Sequence, residues 1–251
     1  MIKVMTFNLR VDTEKDGINR FFLRTDRVLK AIRDESPDVI GFQEDLEDMR
    51  VFLRRNLPEY TFHGSGNRAD YRSGGACTIA YKTEKFQLLD FESRWLSDTP
   101  TVPGSTYGGD QSVVSRIYRK ARLHSLESGN VINFINTHTD HAGSNARFLE
   151  CKQLLEVVRG CSDEGVILCG DFNASPEKPE IQYLLSDDSL GLHDVTKDIP
   201  NTFHGWTEKH YGKIDYIFSN VPCNESYAVE DIPINGVFIS DHNPVVACLE
   251  Y

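Results

Sequence analysis

The chain lacks any apolar run near the roughly 20 residues that a membrane-spanning helix needs, and its mean hydropathy is −0.40. It reads as a soluble chain. Its opening, Met1-Ile2-Lys3-Val4-Met5-Thr6-Phe7, is too short and wrongly ended for a secretory signal and reads as a strand. Cysteine is sparse, at six positions, and none forms a C-x-x-C pair. A disulfide framework is not expected at this length and spacing. Cys169 and Cys248 lie inside apolar runs, where a reduced thiol acts as a small hydrophobe, so a cytoplasmic setting is expected. Basic residues are also in deficit: 27 Lys and Arg stand against 38 Asp and Glu, a formal net charge of −11. An acidic chain repels a phosphate backbone unless it gathers a local basic patch or metal ions, which argues against tight, non-specific duplex binding. The basic stretch 50–55 falls on an expected helix and reads as a solvated face. There is no internal repeat, linker or low-complexity segment, so residues 1–251 read as a single domain. G-x-S-x-G, Walker-type and Gly-rich dinucleotide motifs are all missing.

What is present is mostly strand. Short apolar runs occupy 2–7, 39–42, 78–81, 86–91, 120–126, 131–137, 166–169, 214–219, 227–232 and 245–249. Several are unbroken, the pattern of strands buried on both faces. Helical spacing is confined to 24–34, 46–57, 144–159 and a short segment after Pro179. Many buried strands with few helices call for sheet packed on sheet, with helices outside.

The chemistry sits at the strand ends. Residues 2–7 run into Asn8, 39–42 into Gln43-Glu44, and 131–137 into His138-Thr139-Asp140-His141. Residues 166–169 run into Gly170-Asp171-Phe172-Asn173, and Ser240-Asp241-His242-Asn243 precedes the last strand. Five apolar strands with carboxylate, amide or imidazole at their ends describe a rigid scaffold presenting side chains to one cleft. Taken singly, each has a plainer use. Glu44 suits a helix start, Asn8 a turn, and Asp171-Phe172-Asn173 an Asx-turn. His138 and His141 suit zinc ligation or the surface. Yet extended geometry points Asp171 and Asn173 to one side, with Phe172 turned away. The donors Glu44, Asp241, Asn8 and Asp171 are mainly hard oxygens, which suit Mg²⁺, or Mn²⁺, better than Zn²⁺. Asp215 can hold His242 in one tautomer and raise its basicity.

These segments resemble, in order, the motifs of the endonuclease/exonuclease/phosphatase superfamily. Thr6-Phe7-Asn8-Leu9-Arg10 is similar to its opening motif, and Gly41-Phe42-Gln43-Glu44 to its metal-binding Q-E motif. Asn136-Thr137-His138-Thr139-Asp140-His141, Gly170-Asp171-Phe172-Asn173, Lys213-Ile214-Asp215-Tyr216-Ile217 and Ser240-Asp241-His242 complete the set. Trp95-Leu96-Ser97-Asp98-Thr99-Pro100, with Pro103-Gly104-Ser105 and Arg116-Ile117, is similar to a compact bacterial branch of unassigned substrate. The resemblance implies an α/β fold, a four-layer α/β/β/α sandwich of two mixed sheets packed face to face. It implies a metal held by Glu44 with Asn8 and Asp241, and Asp171 orienting or deprotonating the attacking water. Asn173 would hold that water or a phosphate oxygen, and His242 paired with Asp215 would contact the phosphate. His138 would bond a phosphoryl oxygen or serve the leaving group. Some relatives carry a glutamate just before the strand at 78–81, supporting the first histidine. Here that stretch is Ser73-Gly74-Gly75-Ala76, which favours a phosphate contact over a general acid for His138.

The expected function is metal-dependent hydrolysis of a phosphate mono- or diester by in-line attack of an activated water. The expected substrate is small. The alternatives are a nuclease acting on single-stranded or short nucleic acid, and an inactive binding module on the same fold. A calcineurin-like dinuclear site would need a G-N-H-[DE] motif, and the chain offers Ser240-Asp241-His242-Asn243 instead. Specificity would come from the loops at 64–75 and 99–115. Arg68, Arg72, Arg116 and Arg119 in and beside them are the candidates for a local basic rim.

Overall fold

The computed structural model describes residues 1–161 and 163–251. Twelve strands form two mixed six-stranded sheets among the described residues. The first sheet has the order β11 (Cys223–Ala228), β12 (Val245–Leu249), β1 (Ile2–Asn8), β2 (Val39–Gln43), β4 (Ile79–Lys82), β3 (Tyr60–His63). The second has the order β5 (Phe86–Trp95), β6 (Ile117–Ser125), β7 (Val131–His138), β8 (Gly165–Asp171), β10 (Asp215–Ser219), β9 (His193–Asp194).

The unbroken apolar runs are explained by burial on both faces. Val4, Val39, Ile79, Phe134, Ile167, Ile217 and Val245 meet between the sheets. The alternate residues Met5, Phe7, Ile40 and Phe42 face outward, where α1 (Thr25–Glu35) and α2 (Glu47–Asn56) cover them with Val28, Leu29, Ile32, Met49 and Leu53. On the far side, Ile135, Val166, Leu168, Tyr216 and Phe218 pack under α3 (Ser144–Arg159) and α4 (Pro179–Leu184). The layers are therefore helix, sheet, sheet, helix, as the expected sandwich requires.

At the site end the sheets meet through amides rather than methyls. Asn136 Nδ2 donates to Phe42 O (2.8 Å) and Thr78 O (3.0 Å), and Gln43 Nε2 donates to Asn136 Oδ1 (2.7 Å). The sheets approach so closely here that a Cβ on Gly41 would lie 2.7 Å from Cys169 Sγ.

Some expectations about elements need correction. The strand expected at 227–232 is instead Cys223–Ala228, an edge strand with a register shift between Cys223 and Glu225. The apolar signal further on reflects Val229, which leaves the sheet to pack against the α1 side of the core. β3 and β9 were not expected at all. Arg50 is not on a solvated face: it is 4% exposed and donates to the Asp45 carbonyl. Arg119 belongs to no rim, since it is buried and donates to Ser65 O (2.7 Å). All six cysteines are free thiols, and no helix among the described residues is long and apolar enough to cross a membrane.

Candidate active site

Strand register brings the polar strand ends into one row. In the parallel pair β7–β8, His138 stands opposite Asp171, and in the antiparallel pair β8–β10, Asp171 stands opposite Asp215. Gly170 makes that row possible. Its φ of +148° lies in the region that favours glycine, and a Cβ there would fall 2.1 Å from Thr137 O. In the other sheet, Asn8 pairs with Gln43 at the ends of parallel β1 and β2, so Glu44 emerges beside Asn8. Glu44 (φ 61°), Asn173 (φ 48°) and Arg10 (φ 54°) all hold left-handed backbone, a strain typical of positions over-determined for function.

The loop before β12 is pinned to β1 from two sides. Ser240 Oγ donates to Asn8 O (2.6 Å). The buried Arg24 guanidinium donates to the carbonyls of Leu9, Asn19 and Ile239. Asp241 and His242 are thereby fixed over the same cleft as Asn8.

That cleft has a volume of 590 Å³, and Glu44, His138, Asp171, Asn173, Asp241 and His242 line it. Asn8 and Asp215 stand behind them. Asp171 is the hub. Its Oδ2 accepts from Asn8 Nδ2 (2.9 Å) and lies 3.4 Å from His138 Nε2 and 3.8 Å from His242 Nε2. Its Oδ1 accepts from Asn173 N (2.9 Å). Burial, then the neighbouring Asp215 charge, pushes the Asp171 carboxyl well above the usual carboxylate range. All eight residues named from the sequence thus fall at one place.

The two histidines have opposite characters. His242 Nδ1 meets Asp215 Oδ2 at 2.9 Å. Burial opposes charge on this ring, but Asp215 outweighs it and raises the imidazole to about 10. Asp215 thus favours the charged form of His242, whose Nε2 is turned to the cleft. For His138, burial and then the Arg116 charge lower the ring well below its ordinary range, so it is neutral. Asn173 Nδ2 donates to His138 Nε2 (3.0 Å) and to Thr139 O (3.1 Å). A neutral ring accepting at Nε2 has no proton there to give, which speaks against a general acid. With both Asn173 amide protons engaged, its oxygen is left to hold a water.

A divalent cation fits the Glu44 end. Burial raises Asp241, and the Glu44 charge adds to it against the lowering effect of His242, Arg10 and Arg24, with Arg10 Nε 3.8 Å from Asp241 Oδ2. A hard cation between Glu44 and Asp241 relieves their repulsion. Asn8 turns its amide nitrogen, not its oxygen, toward Glu44 Oε1 (3.4 Å), while its oxygen accepts from Arg10 N (2.9 Å). Asp171, Asp215 and His242 also bring donor atoms within 4.8 Å of one another. There His242 Nδ1 is already bonded to Asp215 (2.9 Å), which suits an imidazole oriented by a carboxylate better than a metal ligand.

Several lining groups enter the site in ways the sequence did not show. Arg10 lies inside the opening motif, but its pairing with Asp16 (2.9 Å) and Asp241 was not legible. Phe203 packs on the His242 ring at 4.8 Å between centroids and is joined to it by an isolated bridge, a contact with no sequence signal. His141 reaches the cleft, while its neighbour Asp140 is buried beneath it. Of the expected rim, Arg68 and Arg116 line the cleft.

Comparison with known proteins agrees with this geometry. Residues 5–242 match the pattern of the Endonuclease/Exonuclease/phosphatase family. A solved endonuclease/exonuclease/phosphatase of Bacteroides vulgatus is 28% identical, with a TM-score of 0.92 over 99% of this chain and 98% of that one. A mannosyl-6-phosphatase of Bacteroides thetaiotaomicron shares the fold at 23% identity and a TM-score of 0.90, with 100% of each chain covered. An uncharacterized protein of Acanthamoeba polyphaga mimivirus is 27% identical over 99% of this chain and 100% of its own. The chain belongs to the endonuclease/exonuclease/phosphatase family, whose members are divalent-metal-dependent hydrolases of phosphate esters.

Proposed function

We propose that the protein hydrolyses a small phosphate ester with Mg²⁺, or Mn²⁺, bound at the Glu44 end of the cleft. The observation that carries the small-substrate reading is the bracing of the two loops that wall the cleft. Asn67 Nδ2 donates to Ser115 O (2.6 Å), Arg68 Nη1 to Val113 O (3.0 Å), and Trp95 Nε1 to Asn67 O (2.8 Å). A 590 Å³ space with a pre-built wall suits a compact ligand.

Glu44 and Asp241 would hold the cation, with Asn8 orienting Glu44. When bound, the cation neutralises charge on a phosphoryl oxygen and on the departing oxygen. Asp171, raised by burial and fixed by Asn8 and Asn173, orients the attacking water and takes its proton. The Asn173 oxygen holds the same water. His242 directs its Nε2–H at the phosphoryl oxygens, and Asp215 supports its charge from behind. Phe203 covers the outer face of the ring and limits water access to that pair.

A screen of nucleotides, short oligonucleotides, phospholipids and phosphosugars, with Mg²⁺ and with excess chelator, tests this reading. Hydrolysis of small esters should vanish in chelator and return with Mg²⁺ or Mn²⁺. Glu44→Gln should raise the metal concentration needed for half-activity. Full activity in chelator would sink the metal assignment, and exclusive activity on oligonucleotides would replace the small ester with a nucleic acid.

A further inference from the structure

Arg116 carries a buried guanidinium whose hydrogen-bonding capacity the fold leaves partly unused. It is 6% exposed. Its Nη2 donates to His141 Nδ1 (3.0 Å), a neutral acceptor, and its Nε is buried without a hydrogen-bond partner. That Nε makes an ion pair with Asp140 Oδ2 at 3.7 Å, too long for a hydrogen bond. Asp140 has also spent its acceptors at home, on Ser112 N (3.2 Å) and Oγ, Ala142 N (2.9 Å) and Gly143 N (2.8 Å). A buried guanidinium is costly unless paired and hydrogen-bonded. Arg24, Arg50 and Arg147 meet that need with backbone carbonyls or carboxylates. Arg119 also keeps Nε and Nη1 without a hydrogen-bond partner, but of the two it is Arg116 that lines the cleft.

Its place in the cleft narrows what it could bind. The Arg116 charge is felt by His138, whereas Arg10 sits at the opposite flank beside Asp241. The reacting phosphoryl group belongs between these flanks, against Asp171 and His242. Arg116 therefore faces a part of the substrate other than the one under attack. Because His141 Nδ1 accepts from Arg116, the His141 proton sits on Nε2, so this partner too offers a donor. Arg68 lines the same cleft. A guanidinium with donors around it selects an anionic oxygen group.

We propose that Arg116, with His141 and Arg68, forms a subsite for an anionic group on the departing half of the substrate. The substrate would then be a small phosphate ester carrying a second phosphoryl or carboxylate group. This inference rests on the small-ester reading above.

Matched pairs test it: fructose monophosphate against fructose bisphosphate for a phosphoryl group, and glycerol phosphate against phosphoglycerate for a carboxylate. The Mg²⁺-loaded enzyme should prefer the more anionic member of at least one pair by about tenfold or more in kcat/KM, chiefly through KM. Arg116→Ala should erase that preference, Arg116→Lys should keep part of it, and His141→Ala, at an exposed position, should reduce it without affecting folding. Equal rates for both members in the wild type overturn the proposal. So does an Arg116→Ala variant that slows both members alike, since that outcome assigns Arg116 to His138 instead. Calorimetric titration of Asp171→Asn with the same pairs separates the two readings. Tighter binding of the anionic member that Arg116→Ala removes, without turnover in the wild type, keeps the subsite and discards the small-ester activity. Equal binding of both members discards the subsite.

Discussion

Asp171 Oδ2 lies 3.8 Å from His242 Nε2, and the proposed mechanism gives them different tasks: Asp171 takes the water's proton and His242 holds the phosphoryl oxygens. Asp171→Asn keeps the shape and removes the base, so turnover should fall by about 10²–10⁴-fold with little change in thermal stability. Near-normal turnover on a verified substrate would refute the assignment. His242 makes a separate prediction about stability. Its folded value is about 10 against an ordinary value of 6.5, so the fold binds a proton that the unfolded chain releases. The resulting stabilisation is fully present below about 6.5 and is lost as pH rises through about 10. The stability gap between wild type and His242→Gln, measured by denaturation in chelator, should narrow across that window. A gap that is constant from pH 6 to 10, or that widens, contradicts the Asp215–His242 pairing. The sequence disclosed these residues because each stands at the end of an apolar strand in a motif. It did not disclose Phe203 or the unpartnered Nε of Arg116, because both depend on tertiary contacts with no periodicity.

At the scale of elements, the site depends on two parallel pairs, β1–β2 and β7–β8, being held end to end by the Asn136 amide. Asn136→Leu would leave Phe42 O, Thr78 O and Gln43 Nε2 without this partner between the sheets. Thr78 O keeps Phe42 N (2.8 Å) and Gln43 Nε2 keeps Thr6 Oγ1 and Gly41 O (3.0 Å each), so a loss of about 1–3 kcal/mol is expected, the cost of one buried group losing its partner. Activity should fall as well, because Gln43 directly precedes Glu44. Unchanged denaturation and turnover in Asn136→Leu would show that the amides are incidental. The long strands were legible because burial on both faces makes them continuous apolar runs. β9 has only two residues, and β3 is an edge strand that alternates buried and half-buried positions, so it shows no unbroken apolar run. β11 lies at a sheet edge with no buried residue, so its true span carries no apolar stripe, and the apolar residues after it misplace it.

For the whole molecule, charge sets the partners. With 27 basic against 38 acidic residues, a net charge of −11, and with Arg50 and Arg119 buried rather than displayed, the overall charge opposes a duplex. A titration of Asp171→Asn with a duplex of about 30 base pairs in Mg²⁺ should show weak binding with a shallow salt slope. Tight binding that falls steeply with salt would promote the nuclease alternative. The cross-braced wall has a consequence for how such an enzyme diversifies. Residues 64–75 and 99–115 share their hydrogen bonds through Asn67, Arg68, Val113 and Ser115, so they behave as one interchangeable cassette. Transplanted together into a relative, they would carry substrate preference with them. Transplanted singly, either loop would confront a mismatched partner, leaving polar groups such as the Ser115 carbonyl without their counterpart.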